Sequence, residues 1–327
     1  MDPGHEPGYR PGGEVEQPFS THWDGLYRAV AAGGSAPGLR PVPGWGATLA
    51  RAMAALDATG RVLEVRPLPL RYFLLRIRVD GMEPAAPGQF VMVAGADQAE
   101  PYLRRAFSVY GQEPAGEDAL VISLLGKVIG RGTAALAACT AGEDVPVLGP
   151  LGTGFHTMGR TGPAGGRSAL VAGGIGSAGL GLLAQALARA EVPFDFYYGG
   201  RTAGDLVEAD EFRRLSESTG GRLIATTEDG TEGTRGLVTE ALLETLEAGG
   251  RAEELAYGAV YTCGPHGLMA AVARIAADHG IAGEAAMETP MGCGYGACLG
   301  CAVELKKGGY ALCCRHGPVF DLEEVVW

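Results

Sequence analysis

No run of about 18 apolar residues, the length that a membrane-spanning helix needs, occurs in the 327 residues, so no membrane partner is expected. Basic residues are also short. The 26 Lys and Arg face 38 Asp and Glu, and a net charge of −12 leaves no positive field to hold a phosphate backbone, which excludes nucleic acid as an expected partner. The N-terminal MDPGHEPGYRPGGEVEQPFS lacks the basic and apolar blocks of a secretory signal, which makes the cytoplasm the expected compartment. Cysteine is sparse and uneven, seven in all with five between Cys293 and Cys314; in a reducing compartment that pattern suits metal binding and not a disulfide framework. What the chain does have is apolar material, 46% of its residues, enough for the cores of two or three domains.

Residues 1–58 open with a stretch dense in Gly and Pro, which disfavours helix and strand alike and predicts a mobile extension. Its last part, Ala47 to Ala58, has helical composition. Over 59–158, six short runs (RVLEVRPL, YFLLRIRV, QFVMVAG, AFSVYG, ALVISLLG and DVPVLGP) punctuated by Gly, Pro and Asp predict a small antiparallel β-barrel. Over 159–282, SALVAGG, FDFYYGG, RLIATTED and AVYTCGP alternate with helix-like segments, the pattern of βαβ units on a parallel sheet. Residues 283–327, with most of the cysteines, predict a compact third unit. The expected fold class is therefore multidomain: β-barrel, parallel α/β lobe and a small C-terminal domain.

In that last segment Cys293, Cys298, Cys301 and Cys314 follow a C-x4-C-x2-C…C pattern, the spacing of plant-type [2Fe–2S] sites. Two irons need four thiolates converging on a small volume. Gly292, Gly294, Gly296 and Gly300 suit such a loop, because glycine allows close backbone approach and leaves N–H groups to face sulfur. A four-cysteine zinc site is the alternative, yet it commonly uses two separated pairs, whereas here three cysteines are bunched and one is distant. Spacing alone leaves Cys313 and Cys314 as rival fourth ligands, since neighbours on an extended segment point opposite ways. For Cys139, in ALAACTAG, a buried structural thiol is the expectation.

Four further segments carry nucleotide signals. Arg105, Ala106, Phe107 and Ser108 put a guanidinium fork, an aromatic and a hydroxyl on one strand, suited to a pyrophosphate and a flavin ring, although solvated strands also read this way. Gly130, Gly132 and Thr133 form a glycine-rich turn feeding a helix, a phosphate site or an ordinary N-cap. After the strand LVAGG, Gly174-Ile-Gly176-Ser-Ala-Gly179 satisfies G-x-G-x-x-G between strand and helix, so a dinucleotide phosphate is expected there. The acidic ribose partner is poorly matched by Asp195, and Arg201 is placed to receive a ribose or a 2′-phosphate, so NAD and NADP both stay open. Cys263, Gly264 and Pro265 follow a strand at the ligand-binding edge of the sheet.

Taken in order, RAFS, GRGT, VLGPLGTGF, VAGGIGSAGL, YYGGRT, TEDGTEGTRGLVT, YTCGP and MGCGYGACLGCAVE…CCRHGPVF resemble the electron-transfer subunits of NAD-dependent, type B dihydroorotate dehydrogenases, within the ferredoxin-reductase superfamily. The resemblance runs from about Gly60 to Trp327. It implies FAD at Arg105, Phe107 and Ser108 and at Gly130, Gly132 and Thr133. It also implies a nicotinamide-nucleotide loop at Gly173, Gly174, Ile175 and Gly176, with Cys263-Gly264-Pro265 beside the nicotinamide. Because the family's last cluster cysteine precedes x-x-G-P-V-F, it selects Cys314 over Cys313. Ala106, where the family often has Pro, and Gly179, where Pro is common, depart from it. The implied partner is an FMN-containing catalytic subunit that oxidises dihydroorotate, in a hetero-oligomer, with electrons passing through [2Fe–2S] and FAD to NAD+ in pyrimidine synthesis. No residue is assigned as a general acid or base. Two other readings fit the residues: an NAD(P)H-dependent reductase feeding an oxygenase, hydrogenase or sulfur-reducing partner, and a zinc-stabilised nucleotide-binding protein without electron transfer.

Overall fold

The computed structural model describes residues 55–96, 101–156, 166–249 and 257–327; of the extension expected over residues 1–58, residues 1–54, with most of the helical segment, lie outside them. The end of that segment, Leu56 to Ala58, is strand and not helix. It opens β1 (Leu56–Pro67), where Leu56 pairs with Gly149 across an antiparallel ladder. Pairing with a neighbouring strand overrides a local preference for helix.

Alternation of inward and outward residues, visible along β1, carries the first sheet. Its other strands are β2 (Tyr72–Asp80), β3 (Phe90–Val93), β4 (Arg105–Ser108), β5 (Gly111–Pro114), β6 (Ala119–Lys127) and β7 (Asp144–Leu151), in the order β4-β3-β7-β1-β2-β6-β5. One expected run, AFSVYG, divides in two: β4 pairs with β3, whereas β5 pairs with β6, and Val109 and Tyr110 turn the corner by bonding to Gln89 and Ser123. The sheet curls round a core of Phe73, Leu75, Ile77, Val91, Ile122, Leu124 and Val147. Phe107 of β4 reaches across to Gly126 of β6. Helix α1 (Arg131–Ala137) follows β6 directly.

The second sheet has the order β11-β10-β9-β8-β12-β13-β16. Its strands are β8 (Arg167–Gly173), β9 (Phe194–Gly200), β10 (Leu223–Thr227), β11 (Thr234–Arg235), β12 (Tyr257–Cys263), β13 (Ala282–Ala286) and, after the cysteine segment, β16 (Val319–Asp321). All pair in parallel except β16. The strands read as almost unbroken apolar runs because helices cover both faces. Leu170 and Ala172 of β8 join the core under α2 (Ser177–Arg189) and α3 (Ala209–Ser218). Ala169 and Val171 join the core under α4 (Val238–Gly249) and α5 (His266–Asp278).

Residue 283, the expected start of a separate unit, falls inside β13. The cysteine segment is an excursion from this sheet: it leaves after β13, forms the hairpin β14 (Ala302–Glu304) and β15 (Tyr310–Leu312) and the short helix α6 (Cys313–His316), and returns as β16 beside β13. Both ends are thus fixed by ladder hydrogen bonds. Among the described residues no helix is long and apolar enough to cross a membrane.

Candidate cofactor sites

The cysteines resolve into two pairs. Cys301 and Cys314 share a hydrogen bond with sulfurs 3.2 Å apart, and the Cys314 N–H donates to Cys301 Sγ at 3.4 Å. In the other pair the Cys298 N–H donates to Cys293 Sγ at 3.4 Å. Among the described residues no three metal-binding side chains gather about one point. Four cysteines in two pairs are the ligand set that a [2Fe–2S] cluster takes, one pair to each iron. Burial pushes the Cys293 thiol up, but the N–H groups of Cys298, Tyr295 and Ala297 outweigh it and the net shift is downward. The neighbouring Cys314 thiol, against the effect of burial, lowers Cys301, while Cys314 itself is raised because it keeps the shared proton. Backbone donors aimed at sulfur are what a bound thiolate needs.

Cys313 has other surroundings. It is fully buried, its thiol donates to the Met287 carbonyl at 3.4 Å, and burial pushes it up to about 12. Helix α6 turns its two leading cysteines to different sides, one toward Cys301 and one toward the sheet. The loop lies on the barrel: a Cβ added to Gly294, which sits at φ +83°, would fall 2.5 Å from Met92 Cγ of β3. Met92 pairs with Ala106 of β4. Directly paired residues point the same way, so the loop lies on the side of the sheet to which Ala106 and Ser108 point.

On the other face Phe107 is buried and meets Phe73 edge-on at 6.2 Å, so it faces the barrel core and not an open ring site. The open positions of the strand are Ala106, exposed, and Ser108, half-buried. Arg105 reaches α1, where any Cβ on Gly132 would strike its guanidinium. Gly130 is the N-cap of α1; Thr133, the third residue of the helix, is not the cap but accepts from the N–H groups of Ile129 at 2.9 Å and Gly130 at 3.2 Å. A guanidinium beside a glycine helix start can hold a diphosphate.

The nicotinamide-nucleotide motif is assembled from two loops at the C-terminal edges of β8 and β12, and they touch through glycine. A Cβ on Gly173 would lie 2.7 Å from Leu268 and 2.9 Å from Pro265, and one on Gly176 would strike the Cys263 carbonyl. Gly264, at φ +155°, would meet the Gly173 N–H at 3.0 Å, and Gly179 would meet Cys263 Sγ at 2.7 Å. Gly179 is therefore needed where it stands. Gly174, at φ +51°, and half-buried Ile175 complete the turn into α2. Cys263 is buried, and desolvation raises its thiol well above the usual range. Asp195 is settled: it lies near the start of β9, away from this edge, and accepts from Arg167 at 2.6 Å, Tyr257 at 2.6 Å and the Arg222 N–H at 3.0 Å. Arg201 follows β9 at the ligand edge, exposed, with its carbonyl bonded to the Asp229 N–H at 3.2 Å.

Sequence reasoning passed over Glu288 and the trio Tyr72, Lys127 and Asp205. Glu288, just after β13, lies near Cys263 and Cys313, and desolvation by the surrounding protein raises its carboxyl. The trio joins the barrel to the α/β lobe, and no local motif marks residues so far apart in the chain. A cavity of about 540 Å³ between β5 and helices α2 and α3 is lined by none of the expected cofactor residues.

Comparison with known proteins agrees with this arrangement. Residues 288–326 match the iron–sulfur cluster binding domain of dihydroorotate dehydrogenase B, and residues 170–274 match the oxidoreductase NAD-binding domain. The electron transfer subunit of dihydroorotate dehydrogenase B (NAD(+)) from Desulforamulus reducens is 34% identical over 247 residues, 74% of this chain and 87% of that protein. The one from Clostridium acetobutylicum is 34% identical over 253 residues, 77% and 91%. The structure of an NADH-dependent reduced ferredoxin-NADP oxidoreductase superposes with a TM-score of 0.66 at 26% identity, covering 82% of this chain and 90% of the other. A barrel with an arginine-bearing strand, a glycine-packed dinucleotide edge and a paired-cysteine loop, together with these relatives, place the chain in the family of electron transfer subunits of NAD-dependent dihydroorotate dehydrogenase B.

Proposed function

We propose that the chain carries electrons between an FMN-containing, dihydroorotate-oxidising partner subunit and NAD+, through a [2Fe–2S] cluster and an FAD of its own. Cys293, Cys298, Cys301 and Cys314 would hold the cluster. Arg105, Gly130 and Gly132 would hold the FAD diphosphate, with Ala106 and Ser108 along the flavin. Gly173 to Gly176 and Cys263 to Pro265 would receive the dinucleotide. Nicotinamide moves two electrons as hydride and an iron–sulfur cluster moves one at a time, so a flavin between them supplies the conversion. The chain's own residues bind and orient: backbone N–H groups face the cysteine sulfurs, and glycines let two loops approach closely at the sheet edge.

One observation carries the reading: the cysteine loop packs through Gly294 on Met92, and Met92 is paired with Ala106 on the flavin strand. That contact supports direct passage of electrons between the two groups. The test is an anaerobic addition of NADH to the purified full chain. Bleaching of both flavin and iron–sulfur absorption is expected. A colourless protein that contains zinc and neither iron nor flavin would contradict the proposal.

A further inference from the structure

Behind the nicotinamide-nucleotide turn, side chains from both lobes form one polar chain. Lys127, the last residue of β6, places its ammonium 3.1 Å from the Tyr72 hydroxyl, 3.1 Å from Asp205 Oδ1 and 4.3 Å from the centre of the Tyr72 ring. The Tyr72 hydroxyl donates to the same carboxylate oxygen at 2.9 Å. Tyr72 is 3% exposed and Asp205 8%, but the Lys127 side chain keeps 32% of its surface. The chain continues into the turn itself. The Tyr198 hydroxyl lies 2.8 Å from Ser177 Oγ, at the start of α2, and within 3.3 Å of the Asp205 carbonyl. On the barrel side, the Tyr72 hydroxyl is 3.6 Å from the place a Gly174 Cβ would take.

A dinucleotide carries a diphosphate, and the turn that would receive it, Gly173 to Gly179, contains no cation. Backbone N–H groups and a helix dipole supply partial charge only. An ammonium has three N–H donors; Lys127 commits one to Tyr72 and one to Asp205, and a third remains on the solvent side. An ammonium tethered by two groups has already lost most of its rotamer freedom, so a phosphate oxygen meets a preorganised donor.

We propose that Lys127 is the phosphate-binding cation of the dinucleotide site, held from the barrel side by Tyr72 and Asp205, so that the nucleotide is gripped by both lobes at once. The proposal rests on the reading of Gly173 to Gly176 as the dinucleotide turn. Asp205 serves as a positioning residue: it holds the ammonium against the Tyr72 hydroxyl, which itself stands beside Gly174, when the site is empty.

The test measures binding to the full chain, loaded with flavin and cluster, of three probes: NAD+, ADP-ribose, which keeps the diphosphate, and adenosine, which lacks it. For Lys127→Gln, NAD+ and ADP-ribose affinity falls about tenfold to a hundredfold, the scale of one charge-assisted hydrogen bond, and adenosine affinity does not change. Lys127→Arg restores most of the loss, and the KM for NADH rises in Lys127→Gln far more than kcat falls. Unaltered ADP-ribose affinity in Lys127→Gln, or an equal loss for all three probes together with a lower melting temperature, overturns the proposal and leaves only a structural latch. If the unsubstituted chain binds none of the three, the dinucleotide reading itself fails.

Discussion

Cys314 and Cys313 are neighbours whose thiols have opposite surroundings, and the difference is measurable. Cys314 sits 3.2 Å from Cys301 with a backbone N–H returning the contact, while Cys313 is enclosed by the sheet and bonded to the Met287 carbonyl. Replacing Cys314 by Ser is expected to abolish the iron–sulfur absorption and most of the bound iron, with FAD retained. Replacing Cys313 by Ala is expected to keep the spectrum and cost about 1–2 kcal/mol of stability through the small cavity it leaves. Visible absorption with iron analysis checks both, and the reverse order would show that Cys313 is the ligand. Alternation along a strand could not choose between these residues, because they lie at the start of a helical turn, where that rule does not hold. Phe107 shows the same limit from the other side. The R-A-F-S pattern points to β4, but which face of that strand lies open depends on Phe73, far off in the chain.

At the scale of elements, the joint between β6 and the turn after β9 is a charge pair inside the fold. Burial raises the Asp205 carboxyl, and the bonds from Lys127 and Tyr72 outweigh it, so the carboxyl titrates below its ordinary 3.8. A carboxyl depressed by folding stabilises above its unfolded value, and the advantage disappears as pH falls through the folded value. Asp205→Asn should therefore be less stable than the unsubstituted chain near neutral pH, by about 1–2 kcal/mol, and the two should converge below about pH 4. Denaturant melts across that range check the sign; a gap that persists in acid would mean that the carboxylate charge is not the cause. The joint was illegible in the sequence, because Tyr72, Lys127 and Asp205 belong to three distant segments. Elements were easier to read. The apolar runs of β8, β9 and β12 and the helix patterns between them define a parallel sheet unaided, since their signals are local. β1 was misread where it began, because Leu56 to Ala58 look helical until Gly149 is beside them.

Over the whole molecule, the segments that carry the three expected motifs are joined by two sheets. The cysteine excursion leaves from β13 and returns as β16, so it is anchored in the nucleotide sheet while its ligand loop rests on the barrel. The glycine edges of β8 and β12 stand on the same sheet. An anchored cluster domain keeps donor and acceptor at a fixed separation, the property that electron transfer requires. The most direct measurement of that role mixes the cofactor-loaded chain with its dihydroorotate-oxidising partner and follows NADH formation anaerobically. NADH should form from dihydroorotate and NAD+ only when both subunits are present, and should stop when Cys298 is replaced by Ser. Reduction of the partner by dihydroorotate with no NADH produced, although this chain holds its full iron and flavin, would contradict the account.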